Sequence, residues 1–310
     1  MYVPKKAAFR ERMVKWGKKK VTAHEIFQDI NVVFLTLLSI LCIAPLIHVL
    51  AISFSDSLAA QTGDVTFFPI GFNITAYQFL IANNSFWRAM WISVQRIILG
   101  GGLTILLTIL TAYPMSRRPE VFPYRKYYIW FMFFTMLFGG GLIPSFLLIN
   151  NLGLMNSIWA LVLPGAVSVW NIILMLNFFR QLPKELDEAA FIDGATHWTV
   201  LWKIYVPTSK AVIATVTLFT VVGQWNAWFD GMIYMTQERF PLQTFLYFTL
   251  QAAGSLEMLN EAQQMEAFRH LTQDTLQAAQ IFIGALPVIM LYPFLQKYFT
   301  KGIVLGSVKG

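Results

Sequence analysis

The chain has 310 residues, 56% of them hydrophobic and only 13% charged, about half the roughly 25% charged fraction of a soluble domain. A mean hydropathy of +0.57, 27 Phe, 10 Trp and a single Cys exclude a soluble enzyme and the disordered, collagenous and disulfide-stapled classes. The net charge of +7 suits either nucleic acid or the inner face of a membrane, and the placement of the basic residues decides between them.

In chain order, the first element is a basic leader, residues 1–30. From Phe9 to Ile30 it mixes Lys15, Lys18, Lys19 and Lys20 with Met13, Val14, Trp16 and Phe27, the composition of an interfacial amphipathic helix. For residues 1–8 a basic tail that only fixes topology is the alternative. Five stretches then lack Asp, Glu, Lys and Arg altogether: Asn31–Ser55, Ile97–Ser116, Tyr127–Phe179, Ala211–Phe229 and Thr275–Gln296. A membrane crossing takes about 20 apolar residues. The first stretch is too long for a signal-peptide core and follows too long a leader, so it is not a cleaved signal. The third runs 53 residues and must fold back, with Asn150-Asn151-Leu152-Gly153 as the natural hinge. The expectation is therefore an all-α integral membrane protein with six spans in residues 31–300.

Six spans put both termini on one side. With the N-terminus inside, 19 of the 23 Lys and Arg fall in the inner segments 1–30, 115–126, 180–210 and 297–310. The outer segments keep Arg88, Arg96, Arg239 and Arg269, of which Arg96 can instead lie within the second span. The predicted topology is N-in, C-in across the plasma membrane, with a short inner tail at 301–310, and nucleic acid is not an expected partner. The glycine triplets Gly100–Gly102 and Gly139–Gly141 read as sites of close helix packing. No G-x-x-x-x-G-K-[ST] phosphate loop occurs, and His24, His48, His197, His270 and Cys42 are scattered, so neither a cofactor nor a metal site is expected in this chain.

The inner segment 180–207 is the most informative. Pro183 suits a first helical turn, Lys184 to Asp193 can form a helix with acids toward its start, and Gly194 can stop it. Thr196 can cap a second helix reaching Ile204, and Pro207 would open the fifth span. The small surface of Ala189 and Ala190 would allow close seating in a partner's groove.

The spacing Glu188-Ala189-Ala190, Gly194, Ile204, Val206-Pro207 resembles the EAA loop of ABC importer permeases, with Val206 where that pattern usually has Leu. Ala112 to Arg117, Gln224 to Asn226 and Tyr292 to Gly310 extend the resemblance to carbohydrate-uptake permeases related to the smaller maltose-permease subunit, closest to the LplC/YtcP-type branch. The resemblance implies a type I importer: a second homologous permease, two cytosolic ATPases holding ATP and Mg, and an extracytoplasmic solute-binding lipoprotein that delivers the sugar, an oligosaccharide by family usage. It further implies that the loop is the coupling helix, with Glu188 contacting the ATPase, Ala189 and Ala190 giving close approach, Asp193 on the same helix, Gly194 making the bend, and Ile204 and Pro207 closing the motif. Gly302 to Gly310 is placed to reach the ATPase interface. ATP hydrolysis belongs to the partner, so this chain is not itself an enzyme.

For the substrate path, Gln224, Trp225, Asn226, Trp228 and Asp230 put rings, amides and a carboxylate in one stretch, with Gln224/Trp228 and Asn226/Asp230 four apart and so on neighbouring turns of one helix. A structural reading stands equally: the tryptophans as an interfacial belt, Asn226 joining helices and Asp230 starting the outer loop. The outer segment Phe240 to Asp274, with Leu256, Leu259, Ala262, Glu266 and Phe268 at helical spacing, would dock the binding protein together with residues 56–88, or else only cap the permease. The rival functions are a permease for another polar solute and a stand-alone channel or secondary transporter. The latter would keep charges inside its spans.

Overall fold

A computed structural model describes residues 23–253 and 272–307, and all regular structure among them is helical. The leader helix proposed for residues 9–22, the outer helix at 256–268 and the last three residues of the tail lie outside the described residues. Helix α1 is Ala23–Ser53, α2 Ser57–Thr62, α3 Thr75–Ala82, α4 Asn84–Arg96 and α5 Gly102–Ser116. Next come α6 Arg125–Leu137, α7 Leu142–Asn151, α8 Ile158–Val162, α9 Val169–Gln181 and α10 Glu185–Ile192. The chain continues through α11 His197–Val200, α12 Val206–Thr208, α13 Lys210–Asn226, α14 Phe229–Tyr234, α15 Leu242–Ala253 and α16 Gln273–Ser307. The tail from residue 302 to Ser307 prolongs α16 as helix.

Among the described residues, three helices are long and apolar enough to cross a membrane: Ile26–Ser53, Asn84–Ser116 and Gln273–Leu291. Two bent pairs raise the number to five, α6 with α7 at 109° and His197–Thr208 with α13 at 81°. The second of the long helices begins well before the charge-free stretch, because α4 carries Arg88 and Arg96 and joins α5 through a π-helical turn at Ile97–Gly101.

The third hydrophobic stretch departs from the expectation of two spans hinged once. The turn at 150–153 is there, with Gly153 at φ 66°, and Asn156 follows at φ 58°. Two further breaks divide the stretch into four helices. One is at Gly139–Gly141, where Gly141 adopts φ 85°, a left-handed value open to Gly at no steric cost. The other falls at Pro164 and Gly165, ahead of α9. This corrects the reading of Gly139–Gly141 as a packing site: a Cβ at Gly139 or Gly141 would meet nothing within 4 Å.

α9 packs along α5, α16 along α1, and α13 lies between α16 and α9. The main core joins Ile109, Ala112 and Tyr113 of α5 to Ile172, Met175 and Phe179 of α9, Val212 and Val216 of α13, and Val200, Leu201 and Tyr205 from the segment after α10. That segment is thus fastened into the body of the molecule. Helix α1, by contrast, leaves most of its apolar side chains exposed, as expected of a surface that meets lipid or another subunit.

Candidate functional site

Helix α10 is short, and its sequence explains both ends. Glu185, Asp187 and Glu188 sit in the first turn, where carboxylates favour the positive end of the helix dipole. At the other end Gly194 takes φ 78°, its N–H donates to the Phe191 carbonyl at 3.1 Å, and the Ala195 N–H reaches back to Ala190 at 2.9 Å. These two bonds form a Schellman stop, which needs a left-handed residue at the position Gly194 holds. Thr196 then caps the next helix, its Oγ1 accepting from the Thr199 N–H at 3.3 Å, as the sequence predicts. A π-turn at Leu201–Tyr205 and the three-residue α12 follow, and the chain turns at Ser209. Against the expectation, Pro207 therefore does not open the next long apolar helix but lies one short helix before α13, which begins at Lys210.

The motif residues divide into two faces. Glu188, Ala189, Asp193, Gly194 and Pro207 are exposed, whereas Ala190 and Ile204 are half-buried against the main core. Ala190 therefore gives close approach to the molecule's own core, and Ala189 alone offers the small outward surface. Beside it stand Leu186, Phe191 and Ile192, the last 86% exposed. Trp198, on the following helix, is exposed as well, and the exposure of Phe191, Ile192 and Trp198 was not foreseen from the sequence.

Behind this face lies a set of charges. Arg117, at the end of α5, pairs with Asp187 at 2.6 Å, and the Tyr205 hydroxyl donates to the same carboxylate oxygen at 2.9 Å. The guanidinium carbon sits 4.4 Å from both the Tyr113 and the Tyr205 ring centroids, a cation–π sandwich. Burial pushes the Tyr205 phenol up to about 12 against the opposing influence of Arg117, so it stays a neutral donor. Arg118 reaches Glu188 at 3.3 Å across an exposed surface.

The predicted path residues are not gathered on one helix. α13 stops at Asn226 and Ala227 is extended, so Trp228 and Asp230 belong to the next element and the four-residue spacing does not stack them on neighbouring turns. Trp225 is buried among Phe86, Leu242 and Leu246, and its indole N–H donates to the Gly284 carbonyl at 2.7 Å. Its ring is therefore held inside the chain's own core. Trp228 stacks on Tyr247 with centroids 4.4 Å apart, and Asn226 is exposed. Asp230 pairs with Arg96, whose Nε also donates to Gln224 Oε1 at 2.7 Å. Arg96 is buried, twelve residues into the 33-residue helix Asn84–Ser116. A charge thus stands inside this long apolar helix, as the sequence allowed for Arg96, and it is neutralised there by its bidentate partner. Next to it a cavity of about 340 Å³ is lined by Gln224, Asn171, Thr220, Trp170 and Phe219 among others. Of the predicted path residues it contains Gln224 only.

Residues 104–304 match the family described as "Binding-protein-dependent transport system inner membrane component". The chain belongs to this family. The permease is 36% identical to "Protein LplC" of Bacillus subtilis (strain 168), over 93% of its own length and 96% of that relative. It is 34% identical to the "Polygalacturonan/rhamnogalacturonan transport system permease protein YtcP" of the same organism, over 89% and 96% respectively. Its fold matches a chain of a bacterial ABC transporter involved in the import of the acidic polysaccharide alginate, with a TM-score of 0.79 and 29% identity over 91% of this chain and 100% of that one. The permease is accordingly a transport subunit of an ABC importer and not an enzyme.

Proposed function

We propose that this permease is one of two membrane subunits of an ATP-driven importer for a carbohydrate, an oligosaccharide handed over by an extracytoplasmic solute-binding lipoprotein. Six spans cross the plasma membrane with both termini in the cytoplasm, the sixth being formed by counting α9 at 13 residues as a short crossing. Of two cytosolic ATPases, which would hold ATP and Mg, one seats against α10. Glu188, Ala189, Asp193 and Gly194 form the contact, and Leu186 and Ile192 supply its apolar part. The carbohydrate class is supported by the names borne by YtcP and by the alginate importer.

The observation that carries the reading is the construction of the loop. An exposed helix stopped by Gly194 is tied at Asp187 to the end of a long membrane helix by a buried ion pair, so movement of α10 is passed to α5 without slack. The test is uptake into proteoliposomes holding both permeases, with and without the ATPases. Carbohydrate should enter only when ATPase, ATP and loaded binding protein are all present. Uptake by the permeases alone would make this a carrier or channel and end the proposal.

A further inference from the structure

The cavity of about 450 Å³ at the foot of α10 is lined by Arg117, Arg118, Arg125, Arg180 and Lys184 against two acids, Asp187 and Glu188. Both acids are engaged, Asp187 through Oδ2 with Arg117 and Glu188 with Arg118, although Asp187 Oδ1 has no hydrogen-bond partner among the described residues. Among the described residues, Arg125 and Arg180 have no carboxylate partner. Each donates only to a backbone carbonyl, Arg125 to that of Arg117 and Arg180 to that of Met115. Arg117 Nε, on a side chain 8% exposed, also has no hydrogen-bond partner among them. Arg125 and Arg180 line the same cavity, and two like charges there, with no counter-ion among the described residues, oppose one another.

A second cavity of about 330 Å³ shares Arg125, Arg180 and Pro119 with the first and runs past Lys126 to Ile129 and Trp130. Trp130 is 61% exposed on the outer surface of α6. The two cavities together pass from a cationic end to an apolar end within a few side chains. A free phosphate would use only the first.

We propose that these cavities form one binding site for an anionic phospholipid, with the headgroup phosphate taken between Arg125 and Arg180 and an acyl chain along Ile129 and Trp130. Guanidinium groups present paired N–H donors that match phosphate oxygens, and basic pockets between membrane helices on the cytoplasmic side suit anionic headgroups. The site rests on the membrane placement proposed above, which puts this end of α6 and α9 at the inner leaflet. Occupancy would remove the opposition between the two arginines at the base of the loop that carries Asp187 and Glu188.

The test is native mass spectrometry of the complete transporter titrated with phosphatidylglycerol, phosphatidylcholine or inorganic phosphate. Phosphatidylglycerol should be retained in preference to phosphatidylcholine, and the double variant Arg125→Gln, Arg180→Gln should weaken its binding roughly thirtyfold. Arg88→Gln, an exposed arginine of α4, should leave it unchanged. Equal retention of the two lipids, an unaffected double variant, or displacement of phosphatidylglycerol by inorganic phosphate would overturn the site. If the double variant does not assemble, the wild-type preference between the two lipids decides. Lipid retention is read without transport, so an assembly that keeps phosphatidylglycerol yet moves no carbohydrate sinks the proposed function and leaves the site standing.

Discussion

Asp187 Oδ2 accepts from Arg117 Nη1 at 2.6 Å across 70 positions of sequence, with only 8% of the arginine and 19% of the aspartate side chain exposed. Removing one partner of such a pair leaves the other charge desolvated, at a cost of about 3–5 kcal/mol. Arg117→Gln and Asp187→Asn should each lower the thermal midpoint of the purified transporter clearly, and the double variant should lose less than the two losses added. Arg118→Gln breaks an exposed pair worth about 0–1 kcal/mol and should barely move it. Equal effects at Arg117 and Arg118 would remove the buried pair from its role as the tie between α5 and α10.

Tyr205 adds a pH signature to the same contact. Its phenol titrates at about 12 in the folded chain against about 10 in an unfolded one. The folded state therefore holds a proton that the unfolded state gives up between these values. The stabilisation is complete below pH 10 and is lost as the pH rises from 10 to 12. The thermal midpoint of the parent should fall more steeply over that window than that of Tyr205→Phe. Parallel curves would show that the hydroxyl is not held neutral by its surroundings.

Gly194 tests backbone conformation without steric interference, because a Cβ there would meet nothing within 4 Å while φ is 78°. A β-branched residue pays about 1–2 kcal/mol to stay left-handed, so Gly194→Val should unwind the end of α10. Gly194→Asn, which tolerates that conformation better, should keep most activity. ATP-driven uptake should be lost in the first variant and largely retained in the second, with membrane insertion normal in both. Loss in both would point to a need for open space at the contact surface in place of a particular backbone angle.

The loop was legible because its signals are local: acids in a first turn, a glycine at a stop, a threonine at a cap. Spans were legible where charge was absent, and α4 was missed because Arg88 and Arg96 interrupt the pattern although Arg96 is paired inside the fold. The glycine triplets were equivalent in sequence but serve different ends. Gly100 packs so closely that an added Cβ would lie 3.2 Å from Gln224 Nε2, while Gly139–Gly141 is a break. No local pattern distinguishes them, because the difference lies in what α13 brings alongside. The ties from Arg117 to Asp187 and from Arg96 to Asp230 join residues 70 and 134 positions apart and could not be paired from one chain alone.

Trp225 and Asn226 are neighbours in sequence with opposite consequences. The Trp225 ring is buried and hydrogen-bonded to Gly284, so Trp225→Ala opens a cavity and should cost about 3–5 kcal/mol of stability. Its transport defect should follow the amount of assembled protein in the membrane. Asn226 is exposed at the end of α13, so Asn226→Ala should leave stability within about 0.5 kcal/mol. Any effect it has should appear in the substrate concentration needed for half-maximal uptake. Uptake per assembled transporter, measured over a range of carbohydrate concentrations, separates the two. A Trp225→Ala transporter with normal abundance and altered substrate affinity would return that ring to the path, and unchanged kinetics in Asn226→Ala would take the amide out of it.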